Sequence, residues 1–245
     1  MAVFVADNVK TWLDGYDVSG DLSKLGLMYA AELKDNTVFG NTTRSRVPGL
    51  KTSKLTLDGY WQSADTPQLI DKTLFERIAV SNSLCSVSPD GGAEGDVGFT
   101  FRVTAGDYTP GAKVGDLLAF VVNAEGSDGI GLLRGTVMNN ATRSTTGTGT
   151  ARQLGAVAAG KSLYASLHVL GVTGTLPTLV VKVQSDNLVG FGSPADVITF
   201  ASANAISSQW GTPVAGALTD DWWRISWTLG GTLPTFQFVV VVAIQ

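Results

Sequence analysis

Only one stretch of this chain, residues 67–78, carries apolar residues at helical spacing. Nearly all the rest alternates, or runs apolar over five to ten residues, between breaks rich in Gly, Pro, Asn and Asp. That pattern commits the chain to strands. In residues 51–61, KTSKLTLDGYW, Leu55, Leu57 and Trp61 share one face, and Lys54, Thr56 and Asp58 the other. In residues 9–18, VKTWLDGYDV, two extended runs flank Asp14-Gly15, a two-residue hairpin signal because both turn positions need positive φ. Further apolar runs occupy 97–105, 115–124 and 130–138. The helical stretch has Thr66 as its N-cap, Pro67 at the first helical position, and a stripe of Leu69, Ile70, Leu74 and Ile78 that predicts a core-facing side. The sum is ten to twelve strands and one helix: a mainly β chain, an antiparallel sandwich or barrel with a flanking α-helix.

The pentapeptide GTLPT occurs twice, at 174–178 and 231–235. Each copy lies between two strand-like runs, which predicts two similar hairpins with GTLPT as the connection. Residues 139–151, NNATRSTTGTGTA, read as a linker or long loop. The charge changes there too. Residues 151–245 balance Arg152, Lys161, Lys182 and Arg224 against Asp186, Asp196, Asp220 and Asp221, so the whole net charge of −4 falls in the first part. The expected division is residues 1–150 as one β domain and 151–245 as a further β-rich part, either an extra sandwich or decoration domain or strands that complete the core.

Composition excludes several functions. A pI near 4.9 argues against a tight nucleic-acid grip, which needs a basic surface. One cysteine, Cys85, excludes an internal disulfide and a cysteine zinc cluster, and one histidine, His168, excludes His-rich metal sites. No apolar run reaches the ~20 residues that span a bilayer as a helix, and the N-terminus shows no signal-peptide pattern. His168 lies on a strand face with Tyr164 and Ser166, read as half-exposed. Cys85 has no neighbour in sequence to depress its pKa. Asp220 and Asp221 would face opposite ways on a strand, a poor acid–base pair. Asp90, Glu94 and Asp96 lack the spacing of a calcium loop. No catalytic, cofactor or metal site is predicted. Trp223, Ile225 and Trp227 share one strand face, either a core stripe or an aromatic surface for a sugar ring.

Charged residues are only 16% of the chain, which suits a surface covered by copies of itself or by partners. Residues 34–51, KDNTVFGNTTRSRVPGLK, read as a long aperiodic loop with Lys34, Arg44, Arg46 and Lys51 against the single acid Asp35. Loops of this length are often functional, and a basic loop on an acidic chain is a candidate docking element.

The run VKTWLDGYDVSGDLSKLGLMYAAE (9–32), the loop TVFGNTTRSRVPGLK (37–51) and KLTLDGYW (54–61), in that order, resemble the major tail proteins, or tail-tube proteins, of long-tailed bacteriophages. The resemblance covers about the first quarter of the chain; the ending, DDWWRISWTLGGTLPTFQFVVVVAIQ, resembles the same group less specifically. It implies a β-sandwich or barrel-like core with a flanking helix, hexameric rings stacked into a tube, and DNA passing through without sequence-specific binding. The implied partners are other copies of the chain, the tape measure protein and tail-end proteins. The implied location is the virion tail, after synthesis in the host cytoplasm. It also implies that the 34–51 loop reaches the neighbouring ring, with Lys34, Phe39, Arg44, Arg46, Pro48 and Lys51 as its contact residues. Two other readings stand beside it: a capsid decoration protein, and a tail-tip carbohydrate-binding adhesin using the Trp222–Trp227 region.

Overall fold

The alternation is realised as fifteen strands and one α-helix in a computed structural model that describes residues 8–62 and 70–245. In chain order these are β1 (Lys10–Leu13), β2 (Tyr16–Asp17), β3 (Leu22–Asp35), β4 (Arg46–Tyr60), α1 (Ile70–Glu76), β5 (Ser83–Ser88), β6 (Val97–Gly111), β7 (Ala119–Gly126), β8 (Leu133–Arg143), β9 (Gly147–Thr148), β10 (Arg152–Gln153), β11 (Ser162–Asp186), β12 (Ala195–Thr199), β13 (Ser207–Trp210), β14 (Val214–Ala215) and β15 (Trp222–Ile244). The chain is mainly β and its strand pairing is antiparallel.

The expected division at residue 150 is not the one the fold makes. One unit gathers Met1–Gly20, Leu84–Thr100 and Leu133–Gln245; the other gathers Asp21–Ser83 and Phe101–Leu132. The reason is pairing across long sequence distances: β15 pairs with β8, and β1 with β5, inside the first unit. The Thr/Gly-rich stretch 139–151 is no linker there. Most of it is strand, ending β8 and forming β9.

The first unit is built on one ribbon. β11 and β15 pair along almost their whole lengths, from Leu163↔Ile244 to Asp186↔Trp222. Leu163, Ala165, Leu167 and Val169 from one end share a single core with Leu179, Val181 and Val183 from the other. Trp227 and Phe238 sit eleven residues apart on β15, about 36 Å along a straight strand, yet their ring centroids lie 5.9 Å apart. The ribbon therefore folds back on itself, and its two halves form the two layers of a sandwich. One layer is extended by β8 on one side and by β13 and β14 on the other. The second is flanked by β12, β9 and β10.

The corner of this fold is the GTLPT pair. The two copies do not make turns; they face each other in mid-ribbon. Thr173 pairs with Thr235, Thr175 with Thr232, and Thr178 with Gly230, a register unchanged when the strands are exchanged. At this corner each strand bulges once, at Leu176 and at Leu233, which hold φ of 49° and 50° and are 85% and 86% exposed; β11 shifts register once more, between Val169 and Gly171. Such bulges bend a ribbon sharply. Gly174 and Gly231 also hold positive φ, and each approaches the other copy's backbone: a Cβ on Gly174 would stand 2.8 Å from the Leu233 carbonyl oxygen, and one on Gly231 2.5 Å from that of Leu176. Both positions require glycine.

The outer face of the first layer is covered by a smaller cluster of Trp12, Val137, Leu170, Val239 and Val241. The Asp14-Gly15 turn forms as expected, with positive φ at both residues.

The second unit is a four-stranded antiparallel sheet in the order β3–β4–β7–β6. Leu55 and Leu57 of β4, Val122 and Ala124 of β7, and Val103 and Ala105 of β6 are buried. Helix α1 buries Ile70 and Leu74, as the stripe predicts. It ends at Glu76, before the expected Ile78, because Ile78 leaves the helical path to bridge Ala105 in parallel. The expected Thr66 cap, Pro67 and Leu69 lie outside the described residues.

Candidate functional site

The 34–51 stretch is mostly strand. Lys34 ends β3; Arg46, Pro48 and Lys51 belong to β4; the loop proper is only Asn36–Ser45. Pro48, Gly49 and the Thr and Asn residues hide the alternation, so the period is lost in the sequence. β3 and β4 pair from Leu22↔Gly59 to Asp35↔Arg46, with register shifts at Leu22/Lys24 and at Ala31/Leu33. The second shift places the extra residue in β4 between Pro48 and Lys51, a bulge that Pro tolerates because it has no N–H to place in a ladder.

β4 is covered on its far side only from Lys54 to Tyr60, where β7 pairs with it. Beyond that, residues 28–35 and 46–53 form a two-stranded arm. Apart from Ser53 and the half-buried Gly49, every residue from 28 to 53 is exposed. The arm has its own apolar set: Tyr29, Leu33, Val38, Phe39, Val47 and Leu50 are all exposed, and Phe39 at the tip touches solvent on all sides. A free two-stranded hairpin is marginal in water, and an unpaired strand edge bearing apolar residues needs cover.

The tip is nonetheless ordered by its own hydrogen bonds. The Asn36 amide donates to the Ser45 carbonyl at 3.0 Å, and the Ser45 amide to Thr37 Oγ1 at 2.9 Å. Asp35 accepts from the Thr37 amide at 2.9 Å, and the Thr37 hydrogen bonds hold its carboxyl below the usual range. Lys51 stands over the Tyr29 ring, 5.7 Å from its centroid. Lys34 lies 3.7 Å from Glu32. The expected contact residues Lys34, Phe39, Arg44, Arg46, Pro48 and Lys51 are therefore brought together on one exposed arm.

The aromatic stripe resolves as core. Trp223 and Trp227 are buried, and their indole N–H groups donate to the Gly155 and Thr145 carbonyls, both at 2.8 Å. Arg143 stacks on the Trp227 ring at 4.6 Å. Neither ring offers a face to a sugar.

His168 is fully buried, not half-exposed, because β1 and β5 cover its side of the ribbon. The Gly15 amide donates to Nδ1 at 3.4 Å, which places the ring proton on Nε2, 2.9 Å from Ser86 Oγ. Ser86, Thr100 and Ser166 complete a closed hydroxyl cluster with Oγ distances of 2.9–3.3 Å. A Ser–His pair in this tautomer cannot deprotonate its serine, since Nε2 already carries the proton. Burial pushes the imidazole pKa down to about 3, and the ring stays neutral at physiological pH. Burial likewise pushes the Cys85 thiol far up, so no thiolate forms.

Four of the remaining acidic candidates, Glu94, Asp96, Asp220 and Asp221, are used structurally. Glu94 pairs with Arg143 at 2.5 Å, and Asp96 Oδ2 accepts the Ala93 amide at 2.7 Å. Asp220 accepts from Ser185 Oγ at 2.7 Å, while Asp221 accepts from Gln153. Among the described residues no group of three or more His, Cys, Asp or Glu side chains is placed to hold a metal ion. No helix there is long and apolar enough to cross a membrane.

No family model and no curated protein matches the chain. Among solved structures, it is similar to a chain of the virion of a native gene transfer agent particle, with 13% identity, TM-score 0.42, and coverage of 53% of this chain and 97% of that one. It is also similar to the SPP1 Dit protein, described as a hub of the adsorption apparatus in phages infecting Gram-positive hosts, with 13% identity, TM-score 0.41, and coverage of 97% and 99%. A third is the tube-terminating cap of the anti-feeding prophage, with 12% identity, TM-score 0.43, and coverage of 56% and 93%. These proteins are parts of virions and contractile injection systems.

Proposed function

We propose that this chain is a structural virion protein, a tail-tube protein that assembles into stacked hexameric rings through which DNA passes. The observation that carries the reading is the β3–β4 arm. It coincides with the segment whose sequence resembles the tail-tube family, and it exposes an apolar surface that nothing within the second unit's sheet covers. The arm carries the assembly contacts. Phe39, Leu33 and Leu50 bury against a neighbouring copy, while Lys34, Arg44, Arg46 and Lys51 meet its acids and Pro48 shapes the bulge. Stacking of this kind is heterologous, with different faces of each copy meeting. The tape measure protein and tail-end proteins are the further partners, and the virion tail is the location.

Negative-stain electron microscopy over a concentration series tests the reading. Hollow tubes or stacked rings are expected from the unaltered chain. The double variant Arg44→Glu, Arg46→Glu is expected to remain folded and to form none. Normal tubes from that variant would remove the arm from the assembly, and particles of fixed small size from the unaltered chain would favour a decoration protein.

A further inference from the structure

The second unit has another exposed apolar surface, at the opposite end of the same strand. β4 runs from Arg46 at the arm to Tyr60, fourteen steps or roughly 46 Å. Tyr60 pairs with Ala119, the first residue of β7, so it lies beside the tip between β6 and β7. That tip, residues 112–118, exposes Val114, Leu117 and Leu118, and Tyr60 is exposed next to it. Val114 is bare on all sides, as Phe39 is at the other end.

We propose that this end of the sheet is the socket for the arm of a second copy of the chain. The inference rests on the arm reading above and names the surface that receives it. Charge selects the pairing. Two arms meeting tip to tip would bring Lys34, Arg44 and Arg46 of both copies together with only Asp35 of each against them, and like charges across an interface are strongly disfavoured. The socket end has Lys113 balanced by Asp116, and Asp21 beside Gly59 adds a further acid. Arm to socket thus joins a basic apolar end to a mildly acidic apolar end. One sheet carrying both ends, at opposite extremes of one strand, makes a head-to-tail contact that repeats without closing between two copies.

Two full-length variants test this. The arm variant is Phe39→Asp with Arg44→Glu and Arg46→Glu; the socket variant is Val114→Asp with Leu117→Asp. All five positions are exposed, so both variants should melt within a few degrees of the unaltered chain. Each alone should raise the concentration needed for stacking by on the order of 30-fold or more, as loss of a central contact does. Mixed one to one, they retain one intact joint: the arm of the socket variant against the socket of the arm variant. Analytical ultracentrifugation should then show particles of twice the mass of either variant alone, and no further growth. A mixture that stays at the mass of its components, or a socket variant that stacks normally, would overturn the socket while leaving the arm reading in place. An unaltered chain that never associates overturns the arm reading itself.

Discussion

Two long antiparallel ribbons dominate this molecule, and they are used in opposite ways. The β11–β15 ribbon folds at its double bulge and buries both halves in one core. The β3–β4 ribbon buries alternate β4 residues from Ser53 to Gly59, is half-buried at Leu25–Leu27 of β3, and is bare over most of its other end. Both carry apolar residues along their whole length. The difference is that one packs its two halves against each other, while among the described residues β7 pairs with the other only from Lys54 to Tyr60. Residues of the first ribbon should therefore control stability, and those of the distal second ribbon should control association.

The largest expected effect on stability is at the fold-back. Trp223→Ala removes a fully buried ring from between the two layers. Large-to-small changes of this kind cost about 3–5 kcal/mol, readable as a drop in the denaturation midpoint. An unfolding free energy unchanged to within ~1 kcal/mol would contradict the shared core.

The corner comes next. Gly174→Ala and Gly231→Ala each force a side chain onto positive φ and onto the opposite strand's carbonyl. Strain and overpacking together should cost about 2–3 kcal/mol. Because each glycine meets the other's bulge, the two changes should be non-additive by ~0.5 kcal/mol or more in a double-mutant cycle. Strictly additive effects would mean the two bulges act independently.

Much of this was legible in the residues, and some could not be. The alternation reported strands, Asp14-Gly15 reported its hairpin, and the Trp223/Trp227 spacing reported a shared face. The GTLPT echo was visible too, but a positive-φ glycine followed by Leu-Pro is also what a turn looks like. Only the long-range pairing of the two copies tells a bulged corner from two hairpins. The burial of His168 is hidden from the sequence for a similar reason. Its covering partners, Gly15 and Ser86, lie 153 and 82 residues away. The arm looks like a loop in the sequence because Pro48-Gly49 interrupts the period inside a strand. Its basic residues are nonetheless visible, because four cations set against the single acid Asp35 within residues 34–51 need no tertiary partner to be noticed.

His168 gives a pH test of the buried ribbon. Its pKa is about 3 in the folded chain and 6.5 in the unfolded one. Between those values the unfolded state binds a proton that the folded state refuses, so stability is complete above pH ~6.5 and declines as pH falls toward 3. The slope from this group is at most ~1.4 kcal/mol per pH unit, or about 2 kcal/mol between pH 6.5 and 5. His168→Gln should flatten that part of the profile. A variant with the unaltered slope would place the proton uptake elsewhere.

The smallest effect on stability belongs to the arm, and it divides the two ribbons most sharply. Leu50→Ser changes an exposed residue on a ribbon that nothing in its sheet covers beyond Lys54. Its unfolding free energy should stay within ~0.5 kcal/mol of the unaltered chain. If the arm docks on another copy, the same change removes an apolar contact that forms only in the assembly, and stacking should need a several-fold higher protein concentration. A loss of stability in the isolated chain would show that the arm already has cover at home. Unchanged stability with weakened stacking would place the missing half of its core in a neighbour.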